Sequence, residues 1–201
     1  MKFKKLFAGV AAAATLLAGM AFGTGAANAA ETTVDTAATV TFKASKEKQL
    51  TSAQLSAYKI ADYVNYGTAK TPVYGVKTAA GANRTKLAAA LTAAGFQNVP
   101  IDGTTDLMAW AMNQKTTTDT DGTVTQVQFD QSETRPWNNP SVTRKFADAL
   151  QAGNPFTATA DPFVLNKATG NDTDGWTATN KTALTAGVYL FLDGNASTDT
   201  L

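Results

Sequence analysis

The segment AGVYLFLDG constrains this chain more than any other. Val188, Tyr189, Leu190, Phe191 and Leu192 are apolar in succession, with small and turn-forming residues on either side. A short run bounded in this way reads as a strand, and a strand apolar on both faces must be central and covered. Other strand signals surround it. In TVTFKAS, Val40, Phe42 and Ala44 alternate with Thr39, Thr41 and Lys43, which predicts a first strand over Ala38–Ala44. GTVTQVQFD alternates Val124, Gln126 and Gln128 against Thr125, Val127 and Phe129, and DPFVLNK is a further short apolar run. Threonine is frequent, and a β-branched polar residue suits the wet face of a sheet.

LSAYKIADYVNY admits two readings. A period of two puts Tyr58, Ile60, Val64 and Tyr66 on one side of a strand. A helical period clusters Ile60, Tyr63 and Val64, with Thr51 and Gln54 in the places of a capping box. The polar KEKQLTSAQ before it reads as a connection.

Three helices are expected in the middle of the chain. RTKLAAALTAAGF ends at Gly95, where a helix takes its C-cap. TTDLMAWAMNQK carries Leu107, Trp110 and Ala111 at helical spacing behind Thr105 or Asp106 as N-cap. NPSVTRKFADALQAGNP begins at Pro140 and Ser141, spaces Val142, Phe146 and Leu150 by four, and closes at Gly153. The whole is a mainly β domain with helices inserted between strands.

The start of the chain has a different character. Lys2, Lys4 and Lys5 precede the apolar LFAGVAAAATLLAGMAF, and AANAAE offers an Ala-x-Ala cleavage site at Ala27 and Ala29. This three-part pattern is that of a secretory signal peptide over residues 1–29, followed by a mobile lead over 30–37 and a domain over 38–201. About 170 residues then remain, enough for one domain with a real core or two small ones. After cleavage no membrane insertion is expected.

Charge and composition narrow the function. Lys and Arg number 17 against 16 Asp and Glu, and loss of the three leader lysines leaves the remainder slightly acidic. No basic patch or Arg-rich arm is present, so no nucleic-acid partner is expected. Histidine and cysteine are both absent. That removes Ser-His-Asp and Cys-His catalysis, His-based zinc sites and disulfides. Glu31, Glu47 and Glu133 are the only glutamates, and no phosphate loop or nucleophile elbow occurs. No enzyme activity, cofactor or metal is expected.

DTDG occurs twice, at Asp119–Gly122 and Asp172–Gly175. A calcium loop would need further ligands where Thr117 and Gln128, or Gly170 and Lys181, stand, so both copies read as hairpin turns. Trp110 has the spacing of a core residue. Trp137 in RPWNNP and Trp176 in DGWTA sit in loop-like contexts and are candidate ligand contacts, weighed against ordinary packing. The sequons at Asn83, Asn171, Asn180 and Asn195 are expected by chance in a Thr-rich chain.

TVTFKAS, LSAYKIADY, RKFADALQA and LTAGVYLFLD, in that order behind a signal peptide, resemble the N-terminal domain of a Gram-positive, sortase-assembled fimbrial (pilin) subunit of the actinobacterial, bifidobacterial type. The resemblance spans most of the chain after the leader. It implies an Ig-like β-sandwich with helices between strands, and it implies that LSAYKIADY is a strand. It also implies a structural subunit of a cell-surface fimbria, with other pilin subunits and a sortase as partners and the cell wall as location. A secreted or wall-anchored adhesin module binding host glycan or matrix protein is the alternative.

Two elements of that family are not visible here: a Leu-Pro-x-Thr-Gly sorting signal and a lysine in a Tyr-Pro-Lys context, for VYGVKT around Lys77 does not match. The expectation is therefore a fragment of a longer protein. The resemblance further implies an internal Lys–Asn isopeptide bond, for which a buried neutral lysine is the nucleophile and a protonated carboxyl polarises the amide. By position, Lys43 and Asn195 are the candidate pair, although Lys43 falls on the polar side of its strand.

Overall fold

The computed structural model describes residues 6–7, 32–34, 37–68, 70–129 and 141–194. In chain order its first elements are β1 (Leu6–Phe7), β2 (Thr32–Thr33), β3 (Ala37–Ala38), β4 (Thr41–Ala44), α1 (Glu47–Thr51), β5 (Leu55–Asn65) and β6 (Tyr74–Thr78). Then come α2 (Arg84–Ala94), α3 (Leu107–Met112), β7 (Thr117–Thr118), β8 (Val124–Gln126) and α4 (Val142–Gly153). The last are β9 (Ala158–Phe163), β10 (Thr169–Asn171), β11 (Gly175–Thr179), β12 (Leu184–Thr185) and β13 (Gly187–Asp193). Strand outweighs helix, so the protein is mainly β, with several antiparallel sheets. Its residues group into two compact units, one containing Val34–Lys59 and the segment from Ala158, the other Ile60–Thr157.

The first unit holds the run that opened the sequence reading. β13 lies beside β5, and Leu55, Ala57 and Tyr58 of β5 pair antiparallel with Phe163, Ala160 and Ala158 of β9. A second sheet has the order β10-β11-β4, in which Trp176, Thr177, Ala178 and Thr179 stand opposite Ala44, Lys43, Phe42 and Thr41. The expected alternation of β4 holds, with Phe42 buried and Lys43 exposed. Phe42 meets Phe163 and Phe191 at ring distances of 6.2 and 5.2 Å, and those two lie 5.1 Å apart. Val40, Leu50, Leu55, Ala57, Ala168, Ala178, Leu184 and Tyr189 complete this core. Tyr189, Leu190 and Phe191 are buried in succession, as a strand apolar on both faces requires.

One buried polar group ties the unit together. The Asn180 amide oxygen accepts from Val40 N at 2.7 Å, and its nitrogen donates to Ala38 O and Thr182 O at 3.2 and 2.8 Å. Those three bonds satisfy backbone groups at the end of β3, just before β4 and just before β12.

The second unit is built on the other half of β5. Ala61–Asn65 pair antiparallel with β6, and Val64 and Asn65 also face Thr33 and Thr32 of β2. All three expected helices form. Asn83, Asp106 and Ser141 cap α2, α3 and α4, each accepting from a backbone N–H three residues on. Gly95 closes α2 in the left-handed region at φ 107°, as its place in the sequence predicts. Asp106 does more than cap, because its carboxylate also accepts from Thr78 N at 2.9 Å and Thr78 Oγ1 at 2.9 Å, tying α3 to β6. Trp110, Phe96, Phe129 and Phe146 form a chain of rings at 6.0, 4.9 and 5.1 Å, which puts Trp110 in packing as its spacing implied.

The structure departs from the sequence reading in four places. KEKQLTSAQ contains a helix, α1, whose start is fastened by Gln49 Oε1 accepting from Ser45 N and Lys46 N at 3.1 Å. It has five residues and one buried side chain, Leu50, too few to show a period. The single strand expected over Ala38–Ala44 is two, because Asn180 takes the backbone of Val40 between them. DPFVLNK does not continue as strand: β9 starts earlier and stops at Phe163, and Val164 is half-exposed. LSAYKIADYVN is a strand, but its buried residues are Leu55, Ala57, Ile60, Ala61, Tyr63 and Val64 rather than one alternating set. Register shifts between Leu55, Ala57 and Tyr58 break the alternation, and adjacent burial at Ile60/Ala61 and Tyr63/Val64 means both faces are covered. Among the described residues no helix is long and apolar enough to cross a membrane.

Truncating the fully buried Phe191 to alanine is expected to cost about 3–5 kcal/mol, because the cavity lies between two sheets that cannot close over it. Ile101, 89 % exposed, is the control. Urea unfolding should find Ile101→Ala within about 0.5 kcal/mol of the parent.

Candidate functional site

Two surface features of the first unit bring together residues singled out in the sequence. The first joins the segments that carry the family resemblance. Lys59, from LSAYKIADY, donates from Nζ to Thr185 Oγ1 at 2.7 Å and stands 5.9 Å from the centre of the Tyr189 ring. Thr185 and Tyr189 belong to LTAGVY, and the Tyr189 hydroxyl donates to Thr185 O at 2.9 Å. The Lys59 ammonium thus stands over an aromatic face while donating to a hydroxyl, both favourable partners for a half-buried lysine.

The second is centred on Trp176. It stands on β11 opposite Ala44, immediately after the turn that joins β10 to β11. The turn is built by Asn171, whose Oδ1 accepts from Thr173 N and Asp174 N at 2.8 Å each, and whose Nδ2 donates to Asp174 Oδ2 at 2.8 Å. Gly175 follows at φ 89°, a conformation that strains any residue with a side chain. The indole is half-buried and packs against the core around Phe42. Its Nε1 donates to Asp172 Oδ1 at 2.8 Å, and Asp172 Oδ2 accepts from Lys46 Nζ at 2.8 Å. Both carboxylate oxygens of Asp172 are therefore committed, one to the indole and one to the ammonium at the start of α1. Together these bonds hold the Asp172 carboxyl below its usual range, the Lys46 bond contributing most and the Trp176 bond next. An open concavity of about 340 Å³ at the β4–β11 edge is lined by residues of both strands, among them Lys43, Ser45, Gly175, Trp176 and Thr177.

Of the ligand-contact candidates, Trp176 is thus at a concave surface, and Trp137 lies outside the described residues. The cleavage-site residues Ala27 and Ala29 and the isopeptide candidate Asn195 also lie outside them. Lys43 is exposed, paired with Thr177, so it does not have the burial that isopeptide chemistry asks of its lysine. Both DTDG copies are turns. In the first, Thr123 N donates to Asp119 Oδ1 and Asp121 Oδ1 at 3.0 and 2.8 Å, so these carboxylates serve their own backbone. Among the described residues no group of three or more acidic side chains is placed to hold a metal.

Sequence reasoning missed Lys46, Asp172 and Asn180. Lys46 and Asp172 are 126 positions apart, and no local pattern announces such a pair. Asn180 was visible only as a sequon, yet its amide is buried and fully engaged.

The Asp172 tie makes a pH prediction. A carboxyl whose folded pKa is depressed contributes stability above its unfolded pKa of about 3.9 and loses it as pH falls through the folded value. The Trp176 indole N–H resonance is therefore expected to stay constant from neutrality to about pH 4 and to move only in more acid solution. A midpoint at or above the ordinary value of about 3.9 would show that the tie does not form. Known protein families, curated proteins and solved structures alike yield no match to this chain.

Proposed function

We propose that this chain is a structural subunit of a Gram-positive cell-surface fimbria, contributing a rod or adhesive domain to a covalently assembled polymer. The observation that carries the reading is the meeting of Lys59 with Thr185 and Tyr189. The two short motifs that resemble the fimbrial family are far apart in sequence, and Lys59 of β5 reaches Thr185 on β12 and stands over the ring of Tyr189 on the neighbouring β13. A chance likeness of two unrelated segments gives no reason for that.

The contact of Phe42 from one antiparallel sheet with Phe163 and Phe191 from another supports the Ig-like sandwich form of the fold. In this reading the leader is removed at Ala27–Ala29 during export, and the partners are a sortase and further subunits. The protein has no turnover chemistry. A secreted or wall-anchored adhesin binding host glycan or matrix protein is the second reading, favoured by the concave surface at Trp176.

Cell-wall extract boiled in SDS and probed with antibody to residues 39–201 is expected to give a ladder of high-mass bands. A single wall-associated band would point instead to the anchored adhesin. A single band confined to the medium would overturn the fimbrial reading.

A further inference from the structure

We infer that removal of the leader opens one edge of β13, and that a second copy of this chain fills it with its own β13, antiparallel, so that one sheet runs through both copies. The inference goes beyond the fimbrial reading and rests on one part of it, cleavage of the leader. Three observations lead to it.

The first is that the edge takes a strand. β13 has two neighbours in its sheet, β5 on one side and β1 on the other. β1 lies inside the segment read as the leader, and it pairs antiparallel with β13, Leu6 opposite Leu192 and Phe7 opposite Phe191. Among the described residues no other strand lies on that side. A chain that begins after Ala29 keeps β5 and loses β1, which leaves the backbone N–H and C=O groups of that edge without their strand.

The second is that the edge is unguarded. Strands that stay at the edge of a sheet carry lysine, proline or another charge that turns further strands away. Val188–Leu192 holds no charged residue and no proline. Asp193 follows, but it is buried and its Oδ1 accepts from Gln54 N at 2.9 Å, so its charge is committed to the residue before β5.

The third is self-complementarity. A two-fold axis between identical strands makes them antiparallel, the sense in which β1 already pairs. Strand alternation puts Tyr189 and Phe191 on one face and Val188, Leu190 and Leu192 on the other. With the axis at Leu190, Tyr189 stands opposite the partner's Phe191 and Val188 opposite the partner's Leu192. Aromatic then meets aromatic, a favourable cross-strand pair, and aliphatic meets aliphatic. A second copy brings the matching alternation with it.

Sedimentation equilibrium on the exported, processed chain tests this, at about 100 μM, enough to populate a dimer with a micromolar Kd. Intact mass first establishes that the leader is gone. The chain is expected to sediment with twice its own mass. Leu192→Lys puts a charge at a half-buried position of the edge strand and should return the mass to that of one chain, with the circular dichroism of the parent. A second readout keeps the test sound if that variant misfolds. The chain has no cysteine, so Val188→Cys combined with Leu192→Cys introduces its only thiols. On mild oxidation the double variant is expected to run as a covalent dimer in non-reducing SDS. Either substitution alone should give none, since each position faces the other across the axis. Within one chain the two positions are about 13 Å apart along the strand, too far to bridge.

Sedimentation of the processed chain as a single copy would overturn the proposal. So would a dimer that survives Leu192→Lys while the double variant stays unlinked, since another surface would then hold it. An intact mass that keeps the leader would overturn the proposal at its premise instead. The pairing is non-covalent and does not survive boiling in SDS, so the band ladder of the fimbrial reading stands or falls separately.

Discussion

Phe42, Phe163 and Phe191 form a closed triangle of rings, and the first unit depends on it. Each ring comes from a different strand: β4, β9 and β13. Burial of each is worth about 1.5–3 kcal/mol, and a favourable ring pair adds about 0.5–1.5 kcal/mol. No disulfide supplements this, since the chain has no cysteine. The triangle also fixes geometry, because it holds a strand of one sheet at a set position against two strands of another. Asn180 then completes the arrangement by satisfying backbone groups where β3, β4 and β12 diverge. An apolar residue there would leave the Val40 N–H buried without an acceptor, a cost of about 1–3 kcal/mol.

Trp176 inherits its position from this core. Phe42 faces Ala178 across the β4–β11 ladder, and the same register carries Ala44 to Trp176 two residues along. The indole rests on the core side of that ladder while the loop from Asn171 to Gly175 turns back to offer Asp172. The short helix α1 contributes through the residue before it, Lys46, whose backbone is fixed by Gln49 and whose side chain reaches Asp172. A packed aromatic core and a five-residue helix thus together orient one surface side chain.

What the sequence made legible follows from how local each cause is. β13 could be read because five consecutive apolar residues have no other place to go, and α2 and α4 because their caps and apolar spacing lie within a dozen residues. The DTDG turns needed only their own glycine and the strands beside them. β5 was ambiguous for a physical reason: it is covered on both faces in its second half and shifts register in its first. Its buried residues Ile60, Tyr63 and Val64 therefore imitate a helical face. Family resemblance, rather than period, selected the strand. Lys46–Asp172–Trp176 was illegible because its members are brought together by the fold. Asn180 was illegible because nothing local distinguishes a buried, fully bonded asparagine from one in an exposed turn.

The ionisable groups add a constraint that bears on how such a surface works. With no histidine or cysteine, no side chain has an ordinary pKa between the carboxylates and the tyrosine and lysine range. The shifts resolved among the described residues widen that gap. Asp172 and Asp102 move down, the latter held mainly by the Thr105 backbone N–H, and Asp121 sits at about 2 through its bond to Asp119. Tyr63 moves up, first because it is buried and then because Tyr74 lies beside it. Every one of these changes carries titration away from neutrality.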